Sequence, residues 1–169
     1  MANETINGLR VTVTIKGSVS GTEGTRQDVD ITYDRTFTDG TGTNQVGAMF
    51  YDATRAIAQA GEDMDLTGSS SYTDFKGIAL DLNSVAVFYL ENLDTDTGDS
   101  VTITRPAAAG MTGMQAASDV TTVQPGGLYL WIAPIDKAVV TGTTADLVNL
   151  AATDASGSNV KILIAGDNT

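Results

Sequence analysis

The sequence contains no cysteine and no histidine. Without thiols the chain forms no disulfide bonds, and zinc sites built from Cys and His are excluded. Nucleophilic catalysis of the Ser-His-Asp or Cys-His type is excluded as well, because both the thiolate and the usual general base are missing. The chain also lacks a Gly-x-Ser-x-Gly nucleophile elbow. The sequence therefore predicts a protein that is not an enzyme.

Basic residues are few: 9 Lys and Arg stand against 21 Asp and Glu, for a net charge of −12. A field of this sign repels polyanions, so it disfavours binding to nucleic acid. Anionic membrane surfaces are disfavoured for the same reason, and no apolar run reaches the 18 residues expected of a membrane-spanning helix. The acidity favours solubility and suits a basic partner surface.

Glutamate is also scarce, with 4 residues against 17 aspartates and 18 glycines. Aspartate and glycine favour turns, whereas glutamate favours helices. This imbalance predicts strands joined by tight turns rather than a helical protein.

Several segments have the hydrophobic pattern of strands. Apolar and polar residues alternate in Leu9–Lys16, in Val29–Phe37 and in Val101–Thr104, which is typical of strands with one buried face. Two continuous apolar runs, Ser84–Leu90 and Leu128–Ala133, are typical of strands covered on both faces. The second run carries the only tryptophan of the chain.

Segment Val46–Ala60 fits two patterns. Its apolar residues match a helical stripe, but they also match a strand. The strand interpretation places on one face Met49, Tyr51, Ala53 and Ile57. We favour the strand, because the alternating segment Asp63–Leu66 would pair back on it across a turn at Ala60-Gly61.

Further short strands are predicted near Ala138–Thr141, Ala145–Leu150 and Val160–Ile164. The total is about ten strands with regularly spaced turn signals, and no linker divides the chain. We predict an all-β fold, a single-domain antiparallel β-sandwich of the jelly-roll or Greek-key kind. The domain is predicted to span residues 9–166, between a flexible N-terminal arm (1–8) without a secretory signal pattern and a C-terminal tail (167–169).

Two acidic clusters are candidates for chemistry. Asp94, Asp96 and Asp99 alternate near Gly98 and offer the oxygen ligands that calcium takes, although an Asp/Gly hairpin turn explains the same residues. Calcium is therefore a possible ligand, and no other cofactor is expected. The cluster Glu62–Asp65 resembles a pair of hydrolase carboxylates, but its alternation predicts carboxylates that face solvent without a catalytic role.

Three residues are candidates for contacts with a partner. Tyr72 lies in a polar stretch and is predicted to be exposed, unlike the other aromatic residues, which are expected in the core. Met111 and Met114 lie in the Ala/Gly/Met-rich segment Pro106–Ser118, predicted to be a long flexible loop that becomes ordered on binding.

Five short segments, in order along the chain, resemble small virion-associated proteins of tailed bacteriophages and prophages. They are Phe37–Gln45 (FTDGTGTNQ), Asp65–Ser69 (DLTGS), Pro125–Leu130 (PGGLYL), Thr144–Leu147 (TADL) and Ile162–Gly166 (ILIAG). The resemblance extends over most of the chain from Phe37 onward and is absent from Leu9–Asp34.

The resemblance implies a structural role in the virion. The expected function is that of a capsid decoration (cement) protein, which binds the outer shell of the particle and stabilises it. The expected partner is the major capsid protein or another virion protein, and a homo-oligomer is expected, with a trimer as the first guess. The alternative is a non-catalytic, lectin-like carbohydrate-binding module, suggested by the sandwich fold, the possible calcium loop and Tyr72.

Overall fold

The computed structural model of the chain describes residues 6–20, 26–74, 77–142 and 145–168. Within these residues the chain forms fourteen strands and no helix, so the all-β prediction is confirmed. The strands are β1 Leu9–Ser20, β2 Arg26–Asp39, β3 Gln45–Val46, β4 Ala48–Ile57, β5 Glu62–Asp65, β6 Thr67–Thr73, β7 Ala79–Asn92, β8 Val101–Thr104, β9 Ala109–Gly110, β10 Val120–Val123, β11 Leu128–Ile132, β12 Ala138–Val139, β13 Ala145–Ala152 and β14 Ser158–Asn168. In this part of the chain, no helix has the length and apolar character needed to cross a membrane.

Two sheets form the body of the molecule. The front sheet has the order β11-β7-β14-β4, and the back sheet has the order β10-β8-β13-β5. Strands that follow each other along the chain take matching places in the two sheets: β4 and β5, β7 and β8, β10 and β11, β13 and β14. This is the connectivity of a jelly roll, with neighbouring strands antiparallel throughout both orders. The predicted β-sandwich is thus confirmed.

The main core lies between the two sheets because the inward residues of each strand alternate with outward ones. β8 shows this pattern directly, with Val101 and Ile103 buried and Thr102 and Thr104 half-buried. The largest fully buried side chains of this core are Phe88, Ile57, Met64, Leu66, Leu80, Leu82, Leu90, Ile103, Met111, Leu150 and Ile162.

A long hairpin precedes the jelly roll. β1 and β2 pair antiparallel from Leu9–Phe37 to Ser20–Arg26, and we call residues 9–39 the arm. The base of the arm covers the outer face of the front sheet, where a second apolar cluster forms around Phe37, Val87 and Ala165. β7 is therefore covered on both faces, as its continuous apolar run predicts.

Segment Val46–Ala60 is a strand, as favoured, but its predicted face is wrong. Phe50 and Ile57 are buried while Tyr51 is exposed. The reason is a register shift opposite Val160–Ile162, which places Phe50 and Ile57 on the same side although they are seven positions apart, an odd spacing that would put them on opposite faces of a regular strand.

Segment Asp63–Leu66 also differs from the prediction. Its strand β5 pairs with β13 in the back sheet and not with β4. The turn after β4 carries the chain from one sheet to the other, so the two strands face each other across the core. A local alternation pattern does not distinguish this arrangement from a hairpin.

The ordered structure extends beyond both predicted boundaries of the domain. Ile6, within the segment 1–8 that was expected to be flexible, is buried in the second cluster. β14 continues through Asp167 and Asn168, which were predicted to be tail, and the Asp167 carboxylate accepts a hydrogen bond from Lys137 Nζ at 2.5 Å. Residues 1–5 and 169 of the predicted termini lie outside the described residues.

The predicted buried strand Leu128–Ala133 corresponds to β11, which is an edge strand of the front sheet. Its alternate residues do contact both apolar clusters: Trp131 packs on the main core and Leu130 on the second cluster. All of its residues remain partly exposed, and Leu128 is 62% exposed. The continuous apolar run thus indicates that both faces of the strand are covered, but it does not indicate that the strand lies at the edge of the sheet.

Candidate functional site

Tyr72 is buried, contrary to the prediction that it is exposed. Only 3% of the residue is accessible, and its ring packs edge-on against Phe50 at a centroid distance of 5.5 Å. The Arg55 guanidinium lies over the ring at 4.8 Å from its centroid. Burial is the main cause that raises the pKa of Tyr72. Tyr72 is therefore a core residue and offers no surface to a partner.

Met111 is also buried, contrary to its predicted place in an interface. Its side chain lies in the main core, and its N–H donates to the carbonyl of Leu147 at 3.0 Å. Arg105 fastens the same segment from within, since its Nε donates to the Gly110 carbonyl and its Nη1 to the Gln115 carbonyl. The predicted flexible loop 106–118 is therefore tied to the body. Met114 packs half-buried against the main core, and its role in an interface stays a prediction.

The three aspartates of the predicted calcium loop lie between β7 and β8. The Asp94 carboxylate accepts a hydrogen bond from the Asn159 N–H at 2.9 Å, and the Asp99 N–H donates to the Asp96 carbonyl. Burial and then the neighbouring carboxylates, Asp154 first among them, raise the pKa of Asp99. Among the residues that the structure describes, no group of three or more acidic side chains is arranged to hold a metal ion. Calcium binding stays a prediction.

The arm carries the most distinctive surface of the molecule. Alternation places the apolar side chains of β1 on one face, and their cross-strand partners in β2 share that face. At the base Phe37 is fully buried, but towards the tip Ile15 is 55% exposed and Ile31 57% exposed. Val29 follows on the same face, 37% exposed. We call Ile15, Val29 and Ile31 the stripe.

A groove of about 490 Å³ runs between the arm and the outer face of the front sheet. One wall is formed by Leu9–Thr14 of β1, and the floor by strands β7, β14 and β11. The floor and rim consist of Val87, Tyr89, Leu128, Leu130, Lys161, Leu163 and Tyr51. The lining is mostly apolar, and the exposed side chains of Leu128 and Tyr51 stand at the rim. The groove lies beside the inner part of β1, and the stripe continues along the outer part of the same strand pair.

A hydrogen-bonded group of polar side chains lies at the groove. The Tyr89 hydroxyl donates to Glu91 Oε2 at 2.6 Å, and Lys161 Nζ donates to the same oxygen at 2.8 Å. Burial, followed by the hydrogen bond to Glu91, raises the pKa of Tyr89 to about 12. The hydrogen bond from Lys161 lowers the pKa of Glu91. The charges at this wall are thus paired with each other.

We expect the Tyr89 phenol to ionise with a midpoint of about 12 in the folded protein, against an ordinary value of 10. The folded state then keeps its proton between these pH values while the unfolded state loses it, so the free energy of unfolding falls as the pH rises through this window. Phenolate absorbance is measured as a function of pH in the wild type and in Tyr89→Phe. The difference between the two curves gives the midpoint of Tyr89. Glu91→Gln should lower it, and a midpoint near 10 in the wild-type protein would contradict this assignment.

Four charged side chains of the arm are also paired within the chain. Arg10 makes a bidentate ion pair with Asp34 across the strands, and Lys16 Nζ lies 3.2 Å from Asp30 Oδ2. The hydrogen bond from Arg10 lowers the pKa of Asp34. These four side chains lie on the face opposite the stripe, because they alternate with it. The stripe itself presents aliphatic carbon, and the cation Arg35 lies on the same face nearer the base of the arm.

Comparison of the chain with protein-family models, with curated proteins and with solved structures found no match. The arm and the groove are the features of the molecule from which a function follows. The sequence already contains their signal, since Leu9–Lys16 and Val29–Phe37 alternate over their full lengths, but it predicts strands with a buried face. The structure buries that face only at the base of the arm.

Proposed function

We propose that this protein is a structural component of a tailed-phage particle, a decoration protein that binds the outer shell of the capsid and stabilises it. The observation that carries the proposal is the solvent-exposed stripe on the arm. Two isoleucines, each more than half exposed, stand directly opposite each other on a regular strand pair. Contiguous exposed apolar surface of this kind marks a site that another protein covers.

The arm and the body divide the sequence in the same way as the resemblance does. The segments that resemble virion-associated proteins lie at the end of the arm and in the body, including Phe37 in the second cluster and Ile162 in the main core. Thr144, in one of these segments, lies outside the described residues. The stretch without resemblance, Leu9–Asp34, forms nearly all of the arm. This division supports a common body that carries a partner-specific arm.

Charge supports the same role. Residues 40–169 contain 15 acidic and 5 basic side chains, whereas the arm contains five acidic and four basic ones. The body is thus strongly acidic and the arm nearly neutral. An acidic body keeps the protein soluble and attracts a basic shell surface, while the arm supplies apolar contact area.

The lectin-like alternative receives no support from the side chains that suggested it. Jelly rolls occur in both viral capsid proteins and lectins, so the fold alone does not choose between them. Tyr72 is buried, and the exposed stripe is aliphatic rather than aromatic. Aliphatic strands favour contact with protein over stacking against sugar rings.

Co-sedimentation with capsids tests the proposal. Purified protein, mixed with undecorated capsids, is expected to sediment with them in a fixed molar ratio to the major capsid protein. A glycan array run in parallel is expected to stay blank. Failure of the wild-type protein to bind undecorated capsids, mature capsids or any other component of the particle would contradict the proposal.

A matched pair of arm variants tests whether capsid binding depends on the stripe. The double substitution Ile15→Lys with Ile31→Asp places an opposite-charge pair on the stripe without changing the net charge. Lys16→Asp with Asp30→Lys exchanges the charges of a pair on the opposite face, one residue away on each strand. We expect the first variant to lose capsid binding at least tenfold because charges are poorly tolerated in a dry contact. The second should bind like wild type.

A further inference from the structure

The stripe and the groove are complementary in chemistry but cannot meet within one molecule. The groove is bounded by the base of the arm, Leu9–Thr14, and the stripe lies farther along the same strands. A straight antiparallel strand pair does not fold back on its own base. The stripe therefore has no place in its own groove, and the groove of a second molecule is open to it.

We infer that a second copy of this chain covers the stripe, with the outer half of each arm lying in the groove of the other copy. This inference identifies the molecule that covers the stripe. It rests on the proposed function only in treating the arm as an assembly element. Because both copies contribute an arm and a groove, the contact is reciprocal and closes on itself.

Charge favours a second copy over a basic or acidic partner. Two molecules that each carry a net charge of −12 repel each other over most of their surfaces. The groove and the stripe are the exception, since Lys161 is paired with Glu91, Arg10 with Asp34 and Lys16 with Asp30. The further charge on the stripe's face is the cation Arg35, which adds nothing to the repulsion between two acidic surfaces. A basic partner would be drawn to the acidic body instead. Two acidic molecules approach each other best through such an apolar region without excess negative charge.

The available area is that of a weak, reversible contact. The outer half of β1, Ile15–Ser20, is six residues long. At about 3.3 Å per residue and about 10 Å across the strand pair, its face covers roughly 200 Å². Each copy adds a groove wall of similar size, so a reciprocal contact buries about 800 Å² in total, the size of a transient interface.

The interior of the groove also favours apolar side chains over water. Its volume of about 490 Å³ is large enough to hold several water molecules when no partner lies in it. The polar groups at its wall, Tyr89 and Lys161, already bond to Glu91 and offer such water few partners. Aliphatic side chains that displace this water gain contacts without breaking hydrogen bonds.

The mass of the full-length protein in solution, measured by sedimentation equilibrium without any capsid, tests the inference. The wild type is expected to form a dimer, and Ile15→Lys with Ile31→Asp should raise its dissociation constant on the order of 100-fold, with tenfold for each of the two stripes that the reciprocal contact buries. Lys16→Asp with Asp30→Lys should leave it unchanged. A monomeric wild-type protein, or an equal loss in both variants, would overturn the inference.

Variants of the groove make the test specific. Tyr51→Ser with Leu128→Ser removes two exposed side chains at the rim and should weaken association at least tenfold. Val120→Ser with Val139→Ser removes two equally exposed side chains elsewhere and should not. A mixture of the stripe variant and the groove variant retains one intact contact, so it should form mixed oligomers that neither variant forms alone. Absence of mixed oligomers would overturn the stripe-in-groove geometry.

Different results would contradict the proposed function and the proposed self-association. A monomer that binds capsids through its stripe would overturn the self-association and leave the proposed function intact. An oligomer that depends on the stripe and the groove but binds no particle would do the reverse.

Discussion

Replacement of Gly166 by alanine is expected to destabilise the protein more than the same replacement at any other glycine that the structure describes. Gly166 lies in β14, where the register against β7 shifts between Ala165 and Gly166. An added Cβ would stand 1.8 Å from the Ser84 carbonyl oxygen and 2.8 Å from its carbon. These are backbone atoms of the central strand, so no side-chain rotation relieves the clash.

We expect Gly166→Ala to lower the free energy of unfolding by about 3 kcal/mol or more, because the two strands must move apart. Urea denaturation followed by tryptophan fluorescence measures the change, with an unchanged m-value as the sign that the unfolded state is not affected. Gly17→Ala is the matched control, since it lies in β1 with no atom within 4 Å of the added Cβ. Equal midpoints for both variants would contradict the close approach of β14 and β7.

Asn92→Asp is expected to have the second large effect. Asn92 is fully buried at the end of β7, and its side chain makes three hydrogen bonds. Its Nδ2 donates to the carbonyls of Asp99 at 2.7 Å and Val123 at 3.2 Å, while its Oδ1 accepts from the Asp94 N–H. One side chain thus ties the loop before β8 and the end of β10 to the front sheet.

The substitution Asn92→Asp keeps the shape but turns both donors into acceptors that face two carbonyl oxygens. A buried carboxylate that keeps the Asp94 N–H on one oxygen but turns the other towards two carbonyls should lower the free energy of unfolding by about 3 kcal/mol at neutral pH. The loss should shrink in acid, because a proton on the carboxyl restores one donor. Asn7→Asp adds the same charge at an exposed position and serves as the control. A stability equal to that of the control across the pH range would refute this role of Asn92.

Periodicity predicts most of the strands of this protein. Val101–Thr104 is β8 as predicted, and the run Ser84–Leu90 is the covered centre of β7. Both patterns are set by what lies directly above and below a strand, which is why local sequence carries them. The scarcity of glutamate points to the all-β class for the same local reason.

The predictions for the site residues were wrong where burial depends on distant parts of the chain. Tyr72 lies in a Ser/Thr-rich stretch that resembles a surface, yet Phe50 and Arg55 of another strand cover its ring. Met111 lies in a Gly/Ala-rich segment that resembles a loop, yet its backbone bonds to Leu147. No local pattern contains these contacts. Asn92 and Gly166 carry no local signal either, since their roles arise from the register of strands far apart in sequence.

The arm is the opposite case, in which the sequence predicts more burial than one chain provides. The alternation through Ile15 and Ile31 predicts a strand pair with one face covered to its end. The structure covers that face at Phe37 and leaves both isoleucines open. The contact with a second molecule, proposed above, would complete the burial that the pattern predicts.

Under the proposed function, this chain is an assembly protein of a phage particle, and its arm is covered by protein there. A density map of an intact particle that contains the chain tests this claim most directly. We predict the jelly-roll body at regular positions on the outside of the shell, with protein density from a neighbouring copy against Ile15 and Ile31. Particles without the chain, or a bound chain whose stripe faces solvent, would contradict the account.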